Sequence, residues 1–271
     1  MKTSRTWTRL VLSLALLVIA AEAAPSNAVS VSLVPPYVEK VVPPGRRVTD
    51  TIAYTNESDR SVRVSISVSD FEVSDTNEVI ERSPGTHPAT LAPHLRVTPT
   101  SLRVGPGERV YFRYSVEAPD EFTHLRAMVF FVTRPELPED RPPQVVFVAR
   151  MGVPVYVEST RAPQTDLQIG GLDWRRSEDG RLTLSFSAAN EGGRIFRPRG
   201  EVEIRSKDGR FRETYPLNAG LEPVLPHHVR QWERFFGPVP GGELSVRLHI
   251  ETSPRKRYRS SVVIPAAGEG S

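Results

Sequence analysis

Side chains that could carry out acid–base, nucleophilic or metal chemistry are scattered along this 271-residue sequence. No cysteine is present, which excludes a thiolate nucleophile and a thiolate metal site. Neither a Gly-x-Ser-x-Gly elbow nor a Walker-type phosphate loop occurs. No two of the six histidines have the i, i+3 or i+4 spacing that would place both on one helix face. We therefore expect no metal, no cofactor and no enzymatic activity.

The charged residues give only weak signals. Carboxylates are numerous, but nothing in their spacing singles out the pair that a glycosidase needs. Basic residues gather at residues 194–199 and 255–259, where Phe196 and Tyr258 are interleaved. Such clusters could bind an anionic partner such as a polysaccharide or a lipid headgroup, but solvated turns and strand faces explain them more simply. The charge pattern therefore assigns no ligand.

The strongest functional signal is residues 144–159, QVVFVARMGVPVYVES, the longest β-type run in the chain. Its odd-numbered residues from 145 to 157 are all apolar and would line one strand face, because successive side chains point to opposite faces. Pro154 cannot donate a ladder hydrogen bond, so we expect the strand at a sheet edge. An apolar edge is an aggregation hazard unless something covers it. We expect a partner to pair with residues 145–151, while residues 153–157 close the first domain.

The composition around this strand is that of an all-β protein. The chain has 25 prolines and 18 glycines, short alternating runs of Val, Thr and Ser, and no long helical periodicity. Residues 46–56 and 61–71 alternate and are predicted to form a hairpin, whereas residues 72–98 give a weaker strand signal and are rich in turn formers, with a loop at Ser83-Pro84-Gly85. Residues 125–133 are apolar almost throughout, which predicts a central strand.

About seven predicted strands in residues 29–158 indicate an immunoglobulin-like sandwich. After a polar linker at residues 159–164, about seven more in residues 165–265 indicate a second sandwich. Each half contains an alternating strand that ends in an Asn-Glu turn, Asn56-Glu57 and Asn190-Glu191. This similarity has two explanations, a tandem of related domains or common turn chemistry, and the sequence does not decide between them.

The N-terminus has the features of a signal peptide. Lys2, Arg5 and Arg9 precede an apolar core at residues 10–21 that is too short to span a bilayer. Cleavage after Ala28 is preferred to cleavage after Ala23, because Val29 opens a strand pattern. Removing residues 1–28 leaves 32 Lys and Arg against 31 Asp and Glu, so the basic pI does not indicate a nucleic-acid partner. We therefore expect an exported protein, periplasmic or secreted, with no stable membrane span.

Residues 101–158 resemble the periplasmic PapD-like chaperones of the chaperone–usher pathway. The resemblance rests on a Pro-Gly turn with an alternating strand, a buried strand and a long final strand, in the segments SLRVGPGERVYFRYSVEAP, HLRAMVFFVTRPE and QVVFVARMGVPVYVES. The first-strand region, VSLVPPYVEKVVPPG, and the turn at Asn190-Glu191-Gly192 are also similar to that family. The likeness extends loosely over residues 29–265, although many exported bacterial sandwich domains share these motifs.

The resemblance implies two tandem immunoglobulin-like domains and a chaperone that lends an edge strand to fimbrial or surface-fibre subunits. It also implies an outer-membrane usher as a further partner. The implied subunit-binding residues are Val145, Phe147, Ala149, Met151 and Val153. In that family an Arg and a Lys grip the terminal carboxylate of the subunit. Lys40 and Arg150 lie near those positions, although Glu39 and Gly152 align as well.

The alternative is a non-enzymatic surface module, adhesive or structural, that binds carbohydrate or a partner in the cell envelope. An adjacent usher gene and small pilin-like genes would favour the chaperone. The sequence alone does not name the client.

Overall fold

A computed structural model describes residues 29–74, 76–136, 146–217, 222–253 and 256–267. Within these ranges the chain is almost entirely strand, and the one helical segment is a short 3-10 turn, Ala92–His94. The predicted all-β fold of two tandem immunoglobulin-like sandwiches is confirmed. The predicted signal peptide, residues 1–28, lies outside the described residues.

The first sandwich contains ten strands in two sheets. They are β1 (Val31–Val34), β2 (Val38–Val42), β3 (Arg47–Asn56), β4 (Val62–Val73), β5 (Val79–Arg82), β6 (Leu95–Thr98), β7 (Ser101–Val104), β8 (Arg109–Glu117), β9 (His124–Pro135) and β10 (Ala149–Ser159). One sheet has the order β1-β3-β8-β6, and the other has the order β2-β10-β9-β4-β5, with β7 also paired to β4. Their inner faces enclose an apolar core that includes Tyr54, Phe112 and Phe131.

The first strand is interrupted as its prolines predict. The segment β1 pairs with β3 in one sheet, and after Pro35-Pro36 the segment β2 pairs in parallel with β10 in the other. A proline cannot donate to a ladder, so the change of sheet falls where pairing is already broken. This crossing places β2 beside the end of β10, which limits how much of β10 remains open.

One expectation for this sandwich is wrong. The strands β3 and β4 do not form a hairpin, because β3 pairs with β8 in one sheet and β4 with β9 in the other. Alternation shows which face of a strand is buried but not which strand lies beside it, so the two were paired only because they are consecutive. Residues 72–98, which are rich in turn formers, contain the short strands β5 and β6. The prediction for β9 is confirmed, because β9 lies between β4 and β10 and is buried along most of its length.

The second sandwich contains eight strands in two sheets. They are β11 (Leu167–Ile169), β12 (Asp173–Arg176), β13 (Arg181–Asn190), β14 (Arg199–Ser206), β15 (Arg212–Pro216), β16 (His228–Pro238), β17 (Leu244–Ser253) and β18 (Lys256–Ile264). In one sheet β13 pairs with β11, β12 and β16, and the other sheet has the order β15-β14-β17-β18. Strands β14 and β15 form an antiparallel hairpin.

The two sandwiches touch through a small apolar cluster and several polar contacts. Phe71, Met128 and Tyr156 of the first sandwich pack with Leu225 of the second. Nearby, Arg197 Nε lies 2.7 Å from Glu39 Oε1. The limits of the two domains, 29–158 and 165–265, stay predictions; in the structure β10 ends at Ser159 and β11 begins at Leu167.

Candidate functional site: the free edge of strand β10

Strand β10 is open along half of one side. It pairs with β9 in an antiparallel ladder from Ala149 to Glu158. On its other side, β10 pairs with β2 only over residues Val155–Ser159. Within the described residues, residues 149–154 therefore have one unpaired edge, which we call the free edge. Pro154 lies within it, as expected for a residue that cannot donate to a neighbouring strand.

The apolar stripe of β10 leaves the core along this free edge. Val153, Val155 and Val157 are buried in the first sandwich, at 1 % exposure or less. Two residues before Val153, Met151 is 37 % exposed, and Phe147 is 60 % exposed. Val146 and Val148 are also exposed beside Phe147. The same alternating pattern therefore serves two purposes, core packing after residue 152 and an uncovered apolar surface before it.

The predicted subunit-binding residues fall into three groups. Met151 is exposed and Ala149 is half-buried on the open half, and Phe147 is exposed two residues before β10 begins. Val145 lies outside the described residues. The expectation that Val153 binds a subunit is corrected, because its side chain is buried in the core of its own sandwich. The sequence-predicted strand of residues 144–159 is also shorter in the structure, where β10 begins at Ala149.

The predicted carboxylate anchor is not assembled. Lys40 lies opposite Val157 in the parallel ladder, seven residues along β10 from Arg150, or about 23 Å at 3.3 Å per residue. Lys40 Nζ instead lies 2.7 Å from Asp50 Oδ2. The hydrogen bond with Asp50 raises the pKa of Lys40 and lowers that of the Asp50 carboxyl. Lys40 and Arg150 were chosen because they lie near the family's positions in the sequence. The register of β2 on β10 places them far apart, so the two cations do not share a site.

Arg150 is bound across the outer face of its own sheet. Its Nη1 and Nη2 donate to Glu81 Oε2 and Oε1 at 2.8 and 2.7 Å. On the way its guanidinium carbon lies 3.4 Å from the centroid of the Phe130 ring. Ser69 Oγ donates to the same Glu81 carboxylate at 2.7 Å. The hydrogen bonds from Arg150 and then Ser69 lower the pKa of Glu81. Sequence reasoning missed Glu81, because the strand signal of residues 72–98 is weak.

Gly152 is explained by the crowding on this outer face. A Cβ atom at Gly152 would lie 2.7 Å from Met128 Sδ and 3.2 Å from Phe130 Cε1. These β9 side chains therefore occupy the place where a side chain at 152 would go. A glycine lets the strand lie flat beneath Phe130 and Arg150 while its apolar stripe points to the opposite face.

A concave region between the sandwiches brings together three of the six histidines. His87, His124 and His227 line a cavity of about 580 Å³, together with the buried Arg126. Arg126 Nε donates to the Phe71 carbonyl at 3.2 Å, and Arg126 Nη2 lies 2.9 Å from His87 Nε2. Burial, with Arg126 nearby, lowers the pKa of His124 to about 4 and also lowers that of His87. No signal in the sequence indicated this grouping.

The described part of the chain offers neither a metal site nor a membrane-spanning helix. No three His, Asp or Glu side chains there are grouped so that they could hold a metal ion. No helix there is long and apolar enough to cross a membrane.

The fold and the free edge define a protein of two tandem sandwiches with an open apolar strand. No family model and no curated protein matches the sequence. Among solved structures, the chain is similar to one from the Salmonella enterica SafA pilin in complex with the SafB chaperone, with 15 % identity, coverage of 87 % of this chain and 97 % of that one, and a TM-score of 0.45.

Two further structures give the same picture. The chaperone–tip adhesin pre-assembly complex CsuC–CsuE of Acinetobacter baumannii matches with 10 % identity, coverage of 86 % and 97 %, and a TM-score of 0.45. The Escherichia coli chaperone DraB matches with 15 % identity, coverage of 86 % and 98 %, and a TM-score of 0.43. Similarity at this level transfers no residue roles, so any functional argument has to come from the geometry of this chain.

Proposed function

We propose that this protein is a non-enzymatic periplasmic chaperone that binds fimbrial or surface-fibre subunits by lending them the free edge of β10. The observation that carries the proposal is the open half of β10: it has a partner strand on one side only, and the apolar side chains of Met151 on that half and of Phe147 just before it are exposed. Exposed, unpaired and apolar strand edges are rare in monomeric proteins because they aggregate. A partner strand that pairs with this edge in the cell removes the hazard.

Backbone hydrogen bonds would supply the affinity. In β-strand addition, an extended segment pairs with the N–H and C=O groups of an open edge, while alternate side chains fill pockets. The free edge offers residues 149–154, about 20 Å of ladder at 3.3 Å per residue. The side chains of Phe147, Ala149 and Met151 share one parity and would enter an apolar groove of the subunit.

Strand β2 would set the limit of the pairing. It occupies the same side of β10 from Val155 onward, so a subunit strand on that side can advance only as far as Pro154. The added strand would therefore continue the sheet position that β2 begins. This predicts a short, fixed register rather than sliding along the whole of β10.

The proposed role is of the same kind as that of the fimbrial chaperones named above. It includes export after removal of residues 1–28 and an outer-membrane usher as a second partner. A subunit that lacks a strand of its own would be the client, because such a subunit has both a groove and an unpaired edge to complete.

The test is co-expression, in a bacterial periplasm, of the tagged full-length protein with each small β-rich exported protein encoded beside its gene. We expect one of these subunits to co-purify with the wild-type protein. Phe147→Asp and Met151→Asp should abolish co-purification, because each places a charge in the proposed apolar groove. Phe235→Asp is the matched control, since Phe235 is 73 % exposed but lies on β16 of the second sandwich.

Two results would contradict the proposal. One is subunit capture by both β10 variants at the wild-type level. The other is failure of the wild-type protein to retain any of these subunits. Retention on a polysaccharide matrix in that second case would favour the adhesive module instead.

A further inference from the structure

The contact between Arg150 and Glu81 spans four strands on the outer face of one sheet. Arg150 lies on β10 and Phe130 on β9, while Ser69 and Glu81 lie on β4 and β5. The guanidinium passes over the Phe130 ring and meets the Glu81 carboxylate with two parallel hydrogen bonds. Fork-to-fork pairing of this type fixes geometry as well as charge. It is the one contact among the described ion pairs that ties the open half of β10 to another strand.

This contact lies on the face opposite the exposed apolar stripe. Arg150 and Met151 are consecutive, so their side chains point to opposite sides of the sheet. Glu81 can therefore hold the strand from behind without covering Phe147 or Met151. The backbone edge beside β2 also stays open, because the contact crosses β9 rather than that edge.

The open half of β10 lacks the support that the closed half has. Residues 155–158 have neighbouring strands on both sides, and Val155 and Val157 are buried in the core. Residues 149–152 have β9 alone, and the side chain of Met151 is partly exposed. A strand held by one ladder frays more readily than one held by two, and each fraying event would disorder the surface that receives a partner.

We propose that Glu81 is a positioning residue for subunit capture: by gripping Arg150 from β5, it holds the free edge of β10 in the extended conformation that an incoming strand pairs with. This inference rests on the proposed function and adds a residue that does not itself touch the subunit. Pre-ordering a binding strand lowers the entropy cost of association, so the effect appears in affinity rather than in global stability.

The experiment compares Glu81→Gln with Glu72→Gln. Glu72 lies on β4, next to β5, and pairs with Arg82, so its variant loses a similar ion pair from the same hairpin without touching β10. The first readout, on the free protein, is hydrogen exchange at the amides of residues 149–152. We expect Glu81→Gln to speed exchange there about threefold to fivefold, the scale of a partly exposed ion pair, while Glu72→Gln leaves it unchanged.

The second readout is the dissociation rate of the subunit identified in the co-expression experiment. Glu81→Gln should raise it by a similar factor with an unchanged melting temperature. Arg150→Gln should match it, and the double variant should be no worse than either single one, because both act through one contact. Equal exchange in Glu81→Gln and Glu72→Gln, or capture by Glu81→Gln at the wild-type rate, would overturn the inference. A wild-type protein that captures no subunit refutes the proposed function, and with it the role of Glu81.

Discussion

Asn56 and Asn190 occupy the same corner of the two sandwiches and share three kinds of side-chain hydrogen bond. The side-chain Nδ2 of each donates to the carbonyl four residues later, Arg60 at 2.8 Å and Arg194 at 2.7 Å. Each also donates at 3.2 Å to a carbonyl far along the chain, Val104 for Asn56 and Val224 for Asn190. The Oδ1 atoms accept from the N–H two residues later, at 3.0 and 3.1 Å.

The shared corner bears on the relation between the two halves. Both asparagines are buried, at 0 % and 1 % exposure, and each ends a strand at the start of the crossing to the opposite sheet. An Asn-Glu turn alone requires only the local bond from the N–H two residues later. The additional bond to a distant strand is a tertiary feature, and its presence in both halves favours a tandem of related sandwiches over common turn chemistry.

The first prediction is that Asn56→Ala and Asn190→Ala each lower the free energy of unfolding by about 2–3 kcal/mol, because buried carbonyls lose their donors. Urea titration monitored by circular dichroism measures this. Glu57→Ala and Glu191→Ala are the matched controls, since each lies one residue later in the same turn. Losses of equal size in the controls would show that the corner tolerates any change and that the buried amide has no special role.

The sequence predicted which strands are buried more accurately than it predicted which strands pair with each other. Alternation identified β4 and β13, and continuous apolarity identified β9, because burial depends on the side chains of the strand itself. The pairing of β3 with β4 was wrong because a partner strand is chosen by the whole fold. Sequence alternation also could not separate the residues of the site. Met151 and Val153 have the same parity, and they differ only because the core ends between them, which leaves Met151 exposed and Val153 buried. Glu81 carried no signal, since its importance arises from a contact 69 residues away.

The second prediction separates these two neighbours of equal parity. Val153→Asp should unfold the first sandwich or destabilise it by more than about 3 kcal/mol, because it buries an unpaired carboxylate in the core. Met151→Asp should change stability by less than about 1 kcal/mol and yet abolish subunit capture. Thermal melts of the free proteins, followed by co-purification, measure both effects. A Val153→Asp protein that melts at the wild-type temperature would show that the core does not end where the structure places it.

The third prediction concerns the contact between the sandwiches. The guanidinium carbon of Arg197 lies 3.9 Å from the centroid of the Tyr37 ring, and Arg197 Nε lies 2.7 Å from Glu39 Oε1. Arg197 lies just before β14, so these contacts connect the second sandwich to the β1–β2 region of the first. Arg197→Ala should speed limited proteolysis of the segment between β10 and β11, because the sandwiches then separate more readily and the segment opens locally more often. Arg199→Ala is the control, as an exposed neighbour of the same type. Unchanged cleavage would mean that the apolar cluster of Tyr156 and Leu225 suffices.

The fourth prediction is that acid weakens the protein through the cavity between the sandwiches. Burial lowers the pKa of His124 from 6.5 to about 4, with Arg126 adding repulsion. Above pH 6.5 both folded and unfolded chains keep His124 neutral, so its neutral state contributes its full stability. As the pH falls from 6.5 to about 4, the unfolded chain takes up a proton that the folded chain refuses, and stability is lost.

The loss amounts to about 1–3 kcal/mol, at 1.36 kcal/mol per pKa unit and reduced for the partial exposure of the ring. His124→Gln should therefore reduce the fall in unfolding free energy between pH 6.5 and 4. His94→Gln, which removes a histidine outside the cavity, is the control. Urea titrations at half-unit pH intervals give the slopes. The lowered pKa of His87 acts in the same direction, so a residual slope in His124→Gln is expected and should become smaller in the double variant with His87→Gln. A wild-type slope in that double variant would place the acid sensitivity outside the cavity.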